Sequence, residues 1–176
     1  MPEKATVPFD LLVKQTFDAM TNMGLLLVSQ GESGKPNAMA IGWGLIGSVW
    51  SQPVFTVLVR PSRHTHKLLQ ENGDFTVNVM PATMGAAVEF CGTASGREHD
   101  KFAEVKLTAV PGLEAKTPII RESLIAYECR TVMANDVLPK RLDIAIRGSA
   151  YAAGDFHRIY YGKILAVRAE RAMIPS

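Results

Sequence analysis

The chain is poor in the features that mark specialised protein classes. Its 176 residues hold two cysteines, Cys91 and Cys129, too few for a disulfide framework. Of the histidines, His64 and His66 stand two apart, but no cysteine or carboxylate cluster completes a metal set around them. Nineteen Lys and Arg against 17 Asp and Glu leave a net charge of +2. That is too little excess to point to nucleic acid or an anionic membrane surface. No apolar run approaches the roughly 20 residues a membrane-spanning helix needs. The opening Met1-Pro2-Glu3-Lys4 is charged and has no apolar segment behind it, so a secretory leader is not expected. There is no glycosylation sequon, internal repeat, low-complexity tract or linker, and no spacing suggests a Ser/His/Asp triad or paired carboxylates. These absences leave one domain over residues 1–176, in a reduced, cytoplasmic setting, with neither nucleic-acid nor membrane partner expected.

What is present is an ordinary core, 47% hydrophobic and 20% charged. Gly24 to Gln30 reads as a buried strand, Gly31 to Lys35 as a turn, and Pro36 to Trp43 as the returning strand of a hairpin. Pro53 to Val59 is β-branched and stops at Arg60-Pro61. Ser62 is placed to cap a short helix from about Arg63 to Glu71, ended by Asn72-Gly73. Asp74 to Met80 alternates, with Phe75, Val77 and Val79 on one face. Thr83 to Phe90 reads as a helix capped by Thr83. Leu107–Val110, Leu124–Val132 and Ile144–Tyr151 read as strands, and Asn135–Asp143 as a polar loop. His157–Val167 is a strand interrupted at Gly162, where a bulge is expected. Many strands and few short helices predict a mainly β fold, a barrel with peripheral helices.

Three segments carry candidate chemistry. Gly42-Trp43-Gly44-Leu45-Ile46-Gly47 matches the dinucleotide fingerprint, but Ser48 to Pro53 behind it is too short and too β-branched for the required helix. No acidic residue follows between Ser48 and Gln70 for a ribose. The glycines instead allow close backbone approach to a flat group, or bulges in a curved sheet. Arg60-Pro61-Ser62-Arg63-His64-Thr65 and the stretch Cys91-Gly92-Thr93-Ala94-Ser95-Gly96-Arg97-Glu98-His99-Asp100-Lys101-Phe102 contain basic turns that bring N–H groups and cations together, as an anionic ligand needs. Each residue also has a plainer reading: Trp43 as core or dimer contact, Asn37 as a turn residue, Arg63 and Lys101 as solvated charges, His157 as a barrel histidine, and the cysteines as buried apolar residues.

Asn37-Ala38-Met39-Ala40-Ile41-Gly42-Trp43, the turn Arg60 to Thr65, and Ser95-Gly96-x-x-x-Asp100-Lys101-Phe102 together resemble the flavin reductase-like family of FMN-binding split barrels, nearest its flavoredoxin branch. Gly154-Asp155-Phe156-His157 matches that family's late Gly-Asp-His strand loosely, with Phe156 inserted. The resemblance runs from about Gly24 to Val167. It implies a Greek-key split barrel of about six strands, a homodimer, and FMN (FAD less readily) held near the subunit interface. It implies flavin contacts from Asn37, Met39, Ala40, Ile41, Gly42 and Trp43. It implies phosphate contacts around Arg60, Ser62, Arg63 and Thr65, further contacts from Ser95, Gly96 and Lys101, and His157 in the site wall. Two departures stand out: Asn135–Ala153 is longer than the usual hairpin, and the chain stops soon after Glu170. The implied activity is hydride transfer from NAD(P)H to flavin, then electrons onward to free flavin, a metal complex or a protein. An electron-transfer flavoprotein reduced by a partner protein is the alternative. A non-catalytic β-barrel binding module is a third, disfavoured by the near-neutral charge.

Overall fold

Ten strands and five α-helices make up the computed structural model, which describes residues 4–175. In chain order they are β1 (Lys4–Thr6), α1 (Val13–Asn22), β2 (Leu25–Gln30), β3 (Pro36–Ile41), β4 (Gly44–Val49), β5 (Gln52–Val59), α2 (His64–Glu71) and β6 (Asp74–Val79). Then follow α3 (Gly85–Thr93), α4 (Lys101–Glu104), β7 (Ala109–Val110), β8 (Ile119–Ile120), β9 (Ile125–Asp136), α5 (Ile144–Ala150) and β10 (Arg158–Glu170). The main sheet is antiparallel in the order β3-β2-β6-β9-β10-β5-β4, with β1 added on β10, and β7-β8 forms a separate pair.

The unbroken apolar run of β2 has a simple cause, because both of its faces are covered. Leu25 and Leu27 enter the barrel core with Phe55, Phe75, Val77 and Tyr127. Leu26 and Val28 face the other way, into a second core under α3 and α4 with Val88, Cys91 and Phe102. Helix α1 adds Leu12 and Met20 to the first core, and the Thr16 hydroxyl lies 2.8 Å from the buried Tyr127 hydroxyl. Cys91 and Cys129 are buried free thiols. No helix among the described residues is long and apolar enough to cross a membrane, and no group of three His, Cys, Asp or Glu is placed to hold a metal.

Strand β10 is irregular at two places. Tyr161 pairs with Met133 and Gly162 with Thr131, which leaves Val132 of β9 as an extra residue opposite the expected glycine. A second shift, between Ile164 and Ala166, leaves Leu165 extra on β10 itself. Gly162 is required where it stands: a Cβ there would collide with the Phe75 ring and come within 2.9 Å of the Cys129 Cβ.

Four expectations are corrected. Ile144–Ala150 is a helix, capped by Asp143, whose carboxylate accepts from the N–H groups of Ala145 and Ile146. Ser62 does not cap α2; Arg63 holds the cap position, and the Ser62 hydroxyl instead donates to Asp155 at 2.6 Å. Thr83 caps nothing, because a 3-10 turn over Ala82–Met84 precedes α3. Asn135 and Asp136, expected to open a loop, are the last residues of β9. Gly44–Val49, inside the dinucleotide-like motif, is a strand, so no helix follows those glycines, in line with the rejected fingerprint.

Candidate functional site

Two adjoining clefts of about 260 Å³ each lie where β3, β5, the start of α2, the 95–97 loop and the start of β10 meet. Met39 and Arg63 line both and form the partition between them. The Arg63 guanidinium is held there by the Gly92 carbonyl at 2.6 Å and by the Met39 sulfur at 3.3 Å.

The first cleft presents polar and apolar surface in nearly equal measure. Its floor is the end of β3 and the turn beyond it, Met39, Ala40, Ile41, Gly42 and Trp43; Leu58, Arg60 and His157 form the wall. Trp43 is 47% exposed and stands beside His157, ring centroids 5.1 Å apart, so it is a rim residue and not barrel core. Arg60 does not reach for an anion. Its guanidinium donates to the carbonyls of Ala150 and Asp155, both at 2.9 Å, and of Gly154 at 3.4 Å, and so fastens the loop that brings His157 in.

The second cleft is polar. Asn37 is buried and donates to the Thr65 hydroxyl at 3.0 Å. Gly96 packs so tightly on Asn37 that any Cβ would overlap the amide. The start of α2, His64 and Thr65, opens here, where a helix leaves N–H groups without carbonyls one turn back; the His66 N–H alone is taken, by the Arg63 carbonyl at 3.0 Å. Three cations surround them, and each donates to backbone carbonyls: Arg63 to Gly92, Arg97 to Ser62 at 2.9 Å, and Lys101 to Ala38 and Cys91, both at 2.9 Å. No carboxylate is among its lining residues; the nearest one bonded to them is Asp155, which accepts from the Ser62 hydroxyl at 2.6 Å. Burial, with Arg63 acting in the same sense, pushes the Lys101 ammonium down to about 8. Burial, then Arg97 and Lys67, lowers His64 below its usual value, and its buried Nδ1 has no hydrogen-bond partner. The donor set, cations plus the N–H groups at a helix start, fits a phosphoryl group.

All fourteen residues expected from the sequence, Asn37, Met39 to Trp43, Arg60, Ser62, Arg63, Thr65, Ser95, Gly96, Lys101 and His157, line one cleft or the other. Leu58, His64, Gly92 and Arg97 line them too and were not in that set. The signal for Arg97 and His64 lay in their own motifs, between residues already singled out. Gly92 likewise lies in the Cys91–Phe102 stretch; nothing local marks Leu58.

The sequence matches the flavin reductase like domain over residues 18–175, and the chain belongs to that family. A protein of Archaeoglobus fulgidus is 36% identical over 107 residues, 61% of this chain but only 59% of that relative's length. Flavoredoxin from Methanosarcina acetivorans superposes with a TM-score of 0.68 at 26% identity, covering 99% of this chain and 81% of that one. An FMN-binding protein from Thermus thermophilus has the same fold, with a TM-score of 0.69 at 24% identity over 87% of this chain and 73% of its own.

Proposed function

We propose that the chain is a single-domain FMN-binding oxidoreductase, with the isoalloxazine ring in the first cleft and the phosphate in the second. The observation that carries this reading is the second cleft, where three cations and the start of α2 converge with no carboxylate among the lining residues. Arg63, Arg97 and Lys101 hold the phosphoryl oxygens. The β3 backbone and Trp43 shape the ring site. FMN suits it better than FAD, because beyond the phosphate site the next cleft places Glu71 and Asp100 beside its lysines. The bound flavin supplies the hydride chemistry, taking a hydride from NAD(P)H and passing electrons to free flavin, a metal complex or a protein acceptor. The chain's own part is to bind, orient and leave one ring face open. The likeness to an archaeal flavoredoxin favours a second reading, an electron-transfer flavoprotein reduced by a partner protein.

A homodimer belongs to this proposal. Leu45, Thr56, Tyr161 and Met133 form one row across β4, β5, β10 and β9 on the outer face of the sheet, and Leu45 and Met133 are exposed. Trp50 stands beside Tyr161. A solvated antiparallel face is normally polar, and this one suits a second copy. A reducing cytoplasm suits the two free thiols.

The test is the visible spectrum of the purified protein, followed by rapid mixing with NADH and NADPH. Flavin bands that bleach quickly with one nicotinamide support the reductase. Flavin bands that do not bleach support the flavoredoxin reading. A colourless protein that takes up no FMN contradicts both.

A further inference from the structure

Helix α5 and the loop behind it deliver a buried aromatic cluster to the wall of the first cleft. The Tyr151 ring is stacked on Phe156, centroids 4.8 Å apart, and the Arg60 guanidinium lies 5.2 Å from its centre. Its hydroxyl is 2.8 Å from Nδ1 of His157 and takes no other hydrogen bond among the described residues. Both side chains are buried. A phenol has one proton to give and a neutral imidazole has one acceptor nitrogen. If Nδ1 carried the proton, the Tyr151 hydroxyl proton would be buried without an acceptor. If Nδ1 accepts, the Tyr151 hydroxyl proton and Nδ1 are both satisfied and the imidazole proton sits on Nε2, which has no protein partner among the described residues.

We infer that Tyr151 is a positioning residue that locks His157 as a neutral imidazole with its proton on Nε2, so that the first cleft offers an N–H donor to the carbonyl oxygen of a flat, conjugated ligand lying against the flavin. Only the flavin in that statement rests on the function proposed above; the lock itself does not. The surrounding charges agree. Burial, then the Arg60 cation, pushes His157 down to about 4, against the opposing pull of Asp155. An imidazolium would select a carboxylate, whereas a neutral donor suits a neutral acceptor. Arg60 does not compete for that oxygen, since its guanidinium is engaged with three carbonyls of the chain, and the Arg63 guanidinium is the one assigned above to the phosphate of the second cleft. Apart from the Trp43 indole, His157 is the side-chain donor left to this cleft.

The experiment has two arms. Nitrogen-15 NMR of the histidines reads the tautomer directly and needs no flavin. The wild type is expected to show His157 with its proton on Nε2 alone and no protonation between pH 8 and pH 5, while Tyr151→Phe mixes the tautomers. The second arm titrates the FMN-loaded wild type with acetophenone and with ethylbenzene, which differ by a carbonyl in place of a methylene, and follows the flavin band. Acetophenone should bind on the order of tenfold tighter, the worth of one hydrogen bond to a buried donor. In Tyr151→Phe that preference should shrink toward unity. Equal affinity of the two ligands for the wild type, or a proton on Nδ1, overturns the inference. A protein that refuses FMN yet shows the single Nε2–H tautomer contradicts the flavin reading and supports the lock. A mixed tautomer in a protein that binds FMN does the reverse.

Discussion

Lys101 is 4% exposed, and its ammonium is held by two carbonyls with no carboxylate beside it. Such a cation is poorly compensated until an anion arrives, which ties phosphate binding to its proton. The free protein loses that proton near pH 8, while a bound phosphate dianion retains it. FMN affinity should therefore be highest below about pH 8 and fall as pH rises from there toward the ordinary lysine value of 10.5. Riboflavin, which has no phosphate, should show no such fall, and fluorescence titrations of both across that range check it. Folding runs in the opposite sense. Between those two values the unfolded chain holds a proton that the folded one lacks, so the flavin-free protein gains stability as pH rises through the window. At the other cleft, Trp43→Ala should weaken FMN binding by about 0.5–1.5 kcal/mol and brighten the bound flavin. Its exposed position means the flavin-free melting temperature should hardly move, whereas a core tryptophan would take roughly 3–5 kcal/mol of stability with it. The site residues were legible because they lie in short contiguous motifs. Leu58 was not, since a strand leucine differs from its neighbours only in what the fold sets opposite it.

At the scale of elements, legibility followed covering. Strands β2 and β6 stood out because their residues are buried on both faces. Strand β4 was missed because its hairpin lacks the usual turn residues: Trp50 and Ser51 form the two-residue turn to β5 with φ of 53° and 56°, a left-handed conformation that asparagine or glycine normally supplies. Ile144–Ala150 looked like a strand from its apolar residues, yet Ile144 and Ile146 are exposed and the Asp143 cap, not burial, decides the helix. Ser62 had the right chemistry for a cap and found a stronger partner in Asp155, across a contact no local pattern reveals. Glu128 was equally silent. It is fully buried in β9, and its carboxylate accepts from the N–H groups of Leu113, Glu114 and Ala115, pinning the 111–118 segment to the sheet. Glu128→Gln sets an amide NH2 against those donors and should destabilise by about 2–3 kcal/mol, read from the denaturant midpoint. Gly162→Ala forces a Cβ into Phe75 and should destabilise by about 1–3 kcal/mol.

For the whole molecule, the dimer proposed through the sheet's outer row makes a direct prediction. Light scattering should give twice the chain mass of 19.2 kDa, and Leu45→Asp with Met133→Asp should shift it toward one copy. A wild-type monomer that keeps tight FMN would remove the dimer from the account. The central claim is that one flavin spans both clefts with its phosphate among Arg63, Arg97 and Lys101. The most direct measurement is calorimetric titration of the flavin-free wild type, Arg63→Ala and Lys101→Ala with FMN and with riboflavin. A phosphate held in the second cleft predicts that each variant loses about 1.5–3 kcal/mol of FMN affinity, tenfold or more, and almost none for riboflavin. Equal losses for the two ligands, or none for either, would contradict it.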